Sequence, residues 1–250
     1  MTRDTTDGEG STADQGEDST TRRGEELTTD DTVDEPEPDA VPDVEAIKPA
    51  APEAFGLLQA WWGDGKGKTT ASLGMGLRAA GHGYRVHVLQ FMKGGTPSVE
   101  GVRGEFNAIA HVPGYTIENT GHVGWHGFMD DTEDDEHAAR ARAALERARE
   151  IVEATAESDL TTPFDPDDDP DDGVHMLILD EVLYAANRDL IDPEDVLGLI
   201  AEKPEGLELV LTGGHEYPKY LEGEADLLSH VEKQVHPLEA GHPARKGTEY

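Results

Sequence analysis

The sequence predicts an α/β fold, a mostly parallel sheet with helices on both faces. Three observations carry this. From residue 55 onward, apolar runs of strand length alternate with stretches of helix length. The first apolar run, Phe55 to Trp62, meets the glycine-rich stretch Gly63-Asp64-Gly65-Lys66-Gly67-Lys68-Thr69-Thr70, which leads directly into Ala71–Ala80. A later run, Val174 to Leu179, ends in two carboxylates, Asp180-Glu181.

The strand, turn, helix order around Gly63–Thr70 is the context that a phosphate-binding loop needs. Glycines let the backbone come close to phosphates and turn its N–H groups inward. The following helix start adds a partial positive charge. Lys68 is placed to reach a terminal phosphate, and the Thr69 hydroxyl to ligate Mg²⁺. The spacing is not that of a full Walker A loop, because a glycine five places before Gly67 would fall at Trp62. The loop is one residue short and carries a second cation, Lys66. With the loop after the first strand, the expected class is P-loop NTPase-like.

The elements follow in order. Residues 1–50 hold 16 acids and 4 bases, a net of −12, and few apolar side chains. Such a segment cannot bury enough surface to offset its ordering entropy, so it is expected to be a disordered acidic tail. The domain is expected over 51–250, with room for about six strands. Phe55–Trp61 is the first strand and Thr69 to about Gly81 the first helix, ended by Gly81-His82-Gly83. Tyr84–Phe91 reads as a second strand with period-two alternation. Lys93-Gly94-Gly95-Thr96 is then a loop at a strand's C-terminal end, where such folds place ligands. Asn107–Val112 reads as a third strand and Pro113–Glu118 as the loop after it. Asp130–Glu136 leads into a long Ala/Arg/Glu helix, about His137 to Ala156, with acids before its start as the macrodipole favours.

Asp159–Gly173 contains Asp165-Pro166-Asp167-Asp168-Asp169-Pro170-Asp171-Asp172. Its aspartate spacing loosely resembles a calcium loop. The required glycine and closing Glu pattern is absent, so it reads as a solvated acidic insertion. Val174–Leu179 is a buried strand delivering Asp180 and Glu181 to its C-terminal end, where a carboxylate can hold Mg²⁺ directly or through water. Asp192-Pro193 opens a helix to about Glu202. Leu207–Leu211 is another strand, followed by Thr212-Gly213-Gly214-His215, and Val231–His236 is the expected last strand. His122 and His126 have the spacing of zinc ligands on a helix, but Gly121 and Gly124 argue against helix there and no third ligand is evident.

Composition narrows the function classes. The chain carries 54 acidic and 20 basic residues, a net charge of −34. There are eight lysines against twelve arginines. This charge argues against nonspecific binding to nucleic acid. It also repels itself in dilute buffer, a repulsion that concentrated salt screens, so the composition reads as adaptation to a salt-rich cytoplasm. ATP would meet a repulsive field until it reaches Lys66, Lys68 and the loop amides. Cysteine is absent, which removes disulfides and thiolate chemistry. No apolar run approaches the length of a membrane span, and the polar, acidic start is not a secretory signal, so the cytoplasm is the default.

With these residues placed, the chain resembles the P-loop ATP:corrinoid adenosyltransferases of the CobA/CobO/BtuR type. The resemblance runs from about Leu57 to Tyr250. It rests on an ordered set: the loop Gly63–Thr70, Ala79-Ala80-Gly81-His82-Gly83, Val88-Leu89-Gln90-Phe91-Met92-Lys93-Gly94, and Leu177-Ile178-Leu179-Asp180-Glu181. Glu208–Gly213, Ala225-Asp226-Leu227, His236–Gly241 and Ala244–Tyr250 complete it. The short loop with two lysines is itself the family's form.

The resemblance implies transfer of the 5′-deoxyadenosyl group of ATP to the Co(I) of a reduced corrinoid, with release of triphosphate. It implies Mg²⁺, a reductase such as a flavoprotein supplying Co(I), and a homodimer. Gly63, Asp64, Gly65, Lys66, Gly67, Lys68, Thr69, Thr70 and Arg78 would face ATP, with Lys66, Lys68 and Glu181 serving the chemistry. Thr69 and Glu181 would hold Mg²⁺, with Asp180 either behind them or a lesser ligand. The family's aromatic-bearing corrinoid loop maps onto Tyr115-Thr116-Ile117. The chain departs from the pattern at Ile117, where some relatives carry Trp and where Trp125 could compensate. It departs also at Gly214, where Arg is frequent and where Lys219 or Arg245 could substitute. Two other readings of the residues stay open: a P-loop ATPase making ADP and phosphate, and a non-enzymatic carrier of ATP or corrinoid.

Overall fold

The central apolar runs become strands because they are buried on both faces. In Met176–Asp180 every residue is buried, Leu177 and Leu179 facing one side and Met176 and Ile178 the other. Burying one such leucine contributes roughly 1.5–3 kcal/mol, which makes a continuous apolar run the signature of an interior parallel strand. The computed structural model describes residues 44–92, 104–120, 134–243 and 245–248. The chain divides into two units, Met1–Val44 and Glu45–Tyr250, and all the elements below belong to the second.

Among the described residues six strands form one parallel sheet: β1 (Leu58–Trp62), β2 (Val86–Gln90), β3 (Tyr115–Asn119), β4 (Met176–Asp180), β5 (Glu208–Thr212) and β6 (Leu227–His230). Their order across the sheet is β3-β2-β4-β5-β1-β6, so β5 separates the two strands that the sequence marks as functional. The helices are α1 (Lys68–Gly81), α2 (Gly104–Ile109), α3 (Asp134–Ala156), α4 (Val182–Asn187) and α5 (Pro193–Glu202). One face of the sheet is covered by α3, α4 and α5, through Ala141, Ile151, Leu183 and Leu199 among others. The other is covered by α1 and α2, through Ala79, Ala80 and Ile109. No helix among the described residues is long and apolar enough to cross a membrane.

The start of β1 is fixed by two carboxylates. Glu208 accepts hydrogen bonds from the Gly56 and Leu57 amides, and Asp226 from the Leu58 amide. Asp192 caps α5 by accepting from the Glu194 amide, with Pro193 at the first helical position.

Three expectations are corrected. Residues 107–112 do not form a strand: Gly104–Ile109 is helix α2, closed by a turn in which the Val112 amide donates to Ile109 O. Residues 115–119, expected as a loop, are β3. The Tyr-Thr-Ile run is the better strand former, and it finds a partner in β2 with Val86 opposite Tyr115 and Val88 opposite Ile117. Gly114, at φ +72, makes the turn into it. The last strand is Leu227–His230 rather than 231–236. It pairs with Gln59–Trp62 of β1, while Val235 is left largely exposed.

The acidic insertion is bound more tightly than a solvated loop would be. The buried Arg85 guanidinium donates to Asp169 O, Gly173 O and Asp165 O, and to the Asp168 carboxylate at 2.8 Å. It also lies over the Phe164 ring, 4.6 Å from its centre. Of the aspartate side chains from 165 to 169, that of Asp168 pairs with this arginine, while Asp165 and Asp169 accept the amides of Asp167 and Asp171.

Candidate active site

The C-terminal ends of β1, β4 and β5 open into a cleft of about 710 Å³. Its floor is the loop Asp64–Thr70, and Leu73, Glu105, Glu181, His215, His236 and Thr248 complete the wall. Ligands in open α/β sheets bind at this edge.

The loop is shaped by glycine where no other residue fits. Gly63 has φ +118, and a Cβ there would meet Val231 O at 2.4 Å. Gly67 has φ +112 and sits at the start of α1. The loop leans on two neighbouring segments, because the Gly63 amide donates to Gly214 O and the Gly65 amide to Val231 O. Asp64 is turned the same way. The Lys233 amide lies 3.0 Å from its Oδ1 and holds its carboxyl below the usual range. The Lys68 ammonium curls over the loop, donating to Gly63 O at 2.6 Å and Gly65 O at 2.9 Å. Lys66 is exposed at the mouth.

Beneath the loop lies a buried carboxylate. Asp180 is fully buried at the end of β4. Its Oδ1 accepts from Thr69 Oγ1 at 2.9 Å and from Thr212 Oγ1 at 2.6 Å, and its Oδ2 from Gln90 Nε2 at 3.1 Å. Asp180 is therefore not part of the cleft wall. Its neighbour Glu181 is, and it stands in a left-handed backbone conformation, φ 67. The donor set that reaches the cleft is one hydroxyl, Thr69, and one carboxylate, Glu181. These are hard oxygens, and they suit Mg²⁺, which keeps waters and phosphate oxygens in most of its positions. Among the described residues no group of three or more His, Asp or Glu could cage an ion alone.

The structure thus brings Lys66, Lys68, Thr69, Thr70 and Glu181 to one cleft, with Asp180 behind them. Arg78 is elsewhere: it is exposed in the last turn of α1, about 15 Å along the helix axis from Lys68. Tyr115 is 4% exposed. It lies wedged against α1, its hydroxyl donating to Leu73 O at 3.0 Å, and burial pushes its phenol up. A Cβ on Gly76 would meet that hydroxyl at 2.4 Å, so the tyrosine needs this glycine. Tyr115 lines a small apolar pocket of about 160 Å³ between α1 and α2 that shares Leu73 and Glu105 with the cleft. Ile117 is half-buried on the same face of β3. Trp125, His122, His126 and the loop at Lys93 fall outside the described residues.

Gly214 is explained by its surroundings. It has φ +67, and a Cβ would meet Asn187 Oδ1 at 2.6 Å. That oxygen is occupied by the amides of His215 and Glu216, which carry the chain past the point where an arginine would stand. Sequence reasoning missed Thr212, Gln90, Glu105, His215 and His236 as residues of the site or its support. Position after a strand was a signal for Thr212 and His215, since both follow or end an apolar run that stops at the ligand edge. His236, Glu105 and Thr248 arrive through long connections that no local pattern marks.

Comparison with known proteins agrees with this geometry. The family described as ATP:corrinoid adenosyltransferase BtuR/CobO/CobP matches residues 54–250. The corrinoid adenosyltransferase of Escherichia coli K12 is 30% identical over 209 residues, covering 83% of this chain and 92% of that protein. The corrinoid adenosyltransferase of Pseudomonas aeruginosa is 31% identical over 196 residues, covering 78% and 84% respectively. Corrinoid adenosyltransferase CobA of Salmonella typhimurium is 29% identical over 209 residues. On the match across residues 54–250, the chain belongs to the BtuR/CobO/CobP family of ATP:corrinoid adenosyltransferases.

Proposed function

We propose that this protein transfers the 5′-deoxyadenosyl group of ATP to the Co(I) of a reduced corrinoid and releases triphosphate. The observation that carries the reading is the convergence of Lys66, Lys68, Thr69 and Glu181 on one cleft, above a buried carboxylate that fixes Thr69. The cobalt supplies the electron pair of the new Co–C bond. The C5′–O bond breaks, and its pair leaves on the triphosphate. The nucleophile carries no proton, so no protein base is required. The protein's part is to position the reactants and to stabilise the growing charge on a polyanionic leaving group. Lys68 exchanges its loop carbonyls for a phosphate, Lys66 adds charge at the mouth, and the amides of Gly67 to Thr70 line the phosphate path. Thr69 and Glu181 would hold Mg²⁺, which when bound neutralises phosphate charge.

Tyr115 and Ile117 lie on the face of β3 toward α1, beside the cleft, and we assign this side to the corrinoid. Their strand geometry makes them a rigid wall rather than a loop. Further parts of the reading are a homodimer, a reductase delivering Co(I), a cytoplasmic site of action, and tolerance of high salt from the net charge of −34. Anaerobic incubation with ATP, Mg²⁺ and chemically reduced cob(I)alamin tests it. The expected result is the visible spectrum of a light-sensitive alkylcobalt product, lost in Lys68→Ala and in Glu181→Gln. Binding of both substrates with no such spectrum would favour a carrier.

A further inference from the structure

The ends of β4 and β5 are joined through one hydroxyl. Thr212 Oγ1 lies 2.6 Å from Asp180 Oδ1 and 3.1 Å from the Glu181 amide nitrogen. The Thr212 hydroxyl has one proton and donates it to Asp180 Oδ1. A lone pair of Thr212 is then left to receive the Glu181 N–H. Thr69 donates to the same oxygen, Asp180 Oδ1, at 2.9 Å.

Glu181 is one of only two non-glycine residues with positive φ among those described, at φ 67 and ψ 14. That conformation persists in a non-glycine residue when its surroundings over-determine it, and such residues cluster at functional sites. Here the surroundings are Thr212 on the amide and Gly213 beside the side chain. A Cβ on Gly213 would stand 2.7 Å from Glu181 Oε2 and 2.9 Å from its Cα. Gly213 is itself tied to β1, its N–H donating a hydrogen bond to Trp61 O. The β5 end therefore presses Glu181 into a turn that brings its side chain to the cleft wall.

We infer that Thr212 is a positioning residue for the metal side of this site. It holds Glu181 in the left-handed turn and, through the shared Asp180 oxygen, sets Glu181 and Thr69 in one register. This rests on the reading above that Glu181 and Thr69 serve Mg²⁺. Thr212→Val removes both hydrogen bonds at nearly constant volume. Thr212→Ser keeps them. Glu181→Gly relaxes the backbone while deleting the carboxylate.

The experiment measures ATP binding by calorimetry with Mg²⁺ and in excess EDTA, the Mg²⁺ half-saturation of turnover, and thermal unfolding of each variant. Thr212→Val should raise the Mg²⁺ half-saturation about 10-fold or more, as loss of a supporting group behind a metal ligand does. Its ATP affinity in EDTA should stay near wild type, and Thr212→Ser should restore the Mg²⁺ response. Glu181→Gly should unfold at a higher temperature than wild type and lose the Mg²⁺ dependence. A Thr212→Val protein with wild-type Mg²⁺ response overturns the inference. So does a Thr212→Val protein that loses ATP binding equally with and without Mg²⁺, or a Glu181→Gly protein that unfolds at a lower temperature. If wild type binds ATP with no Mg²⁺ dependence, the metal reading itself fails and takes this inference with it.

Discussion

At the C-terminal ends of β1, β4 and β5, polar groups converge on an open cleft and one buried carboxylate steadies them from below. At the N-terminal ends of β2 and β4, polar groups are also buried, but they bond mostly to one another. Arg85 satisfies three backbone carbonyls and Asp168. His175 Nδ1 accepts from the Arg85 amide, and its ring stacks on Phe164. His87 bonds to Thr116, and Glu118 beside it is paired with Arg147. Burial pushes both histidines down to about 4. The two strongly lowered histidines of the described chain thus lie at the closed end, far from the cleft. A perturbed ionisable group is a candidate for function only where something can reach it.

The difference between the ends can be broken by substitution. The largest effect is expected for Lys68→Ala at the open end. It should lower kcat/KM for adenosyl transfer by about 10³-fold and leave the unfolding temperature nearly unchanged. At the closed end the pattern reverses. Arg85→Ala leaves buried carbonyls unpaired and should cost about 3 kcal/mol or more in urea unfolding. Its Mg·ATP affinity, measured below the transition, should stay near wild type. A Lys68→Ala protein that is unstable, or an Arg85→Ala protein that folds normally, would erase the contrast.

Acid sharpens it next. Both His87 and His175 have folded values, about 4, below the ordinary 6.5. As pH falls below 6.5 the unfolded chain takes up protons before the folded one. Stability from these groups is therefore full above pH 6.5 and is lost as pH falls toward 4. The double variant His87→Gln/His175→Gln should lose most of that slope between pH 6.5 and 4, which denaturant titrations at each pH would read. The smallest effect is that of salt. With a net charge of −34, the unfolding temperature should rise as KCl goes from about 0.1 to about 3 M. An unchanged value would contradict the reading of the composition as salt adaptation.

The open end was the more legible in sequence, because its chemistry is local. Gly63–Thr70 and Asp180-Glu181 each hold loop or strand end and functional group in one short stretch. The interior of β4 was legible for the same reason, as a run from Met176 to Leu179 with no polar interruption. What escaped depends on distant pairing. Tyr115–Asn119 is a strand because β2 lies beside it, and Asn107–Val112, with a similar apolar alternation, has no such neighbour. Thr212 stood in plain view after Leu211, yet its role needs β5 placed between β4 and β1. Arg85 gave no sign that it would organise an acidic loop 80 residues away, and a longer separation still hid the approach of His236 and Thr248 to the cleft.

The measurement that tests the account most directly is the identity of the phosphate released by wild-type protein under anaerobic conditions with ATP, Mg²⁺ and reduced corrinoid. Adenosyl transfer cleaves the C5′–O bond, so the account predicts intact triphosphate, one per adenosylated corrinoid, and no ADP. ADP and orthophosphate without a Co–C product would mean cleavage at the terminal phosphate, and would make the cleft that of an ATPase.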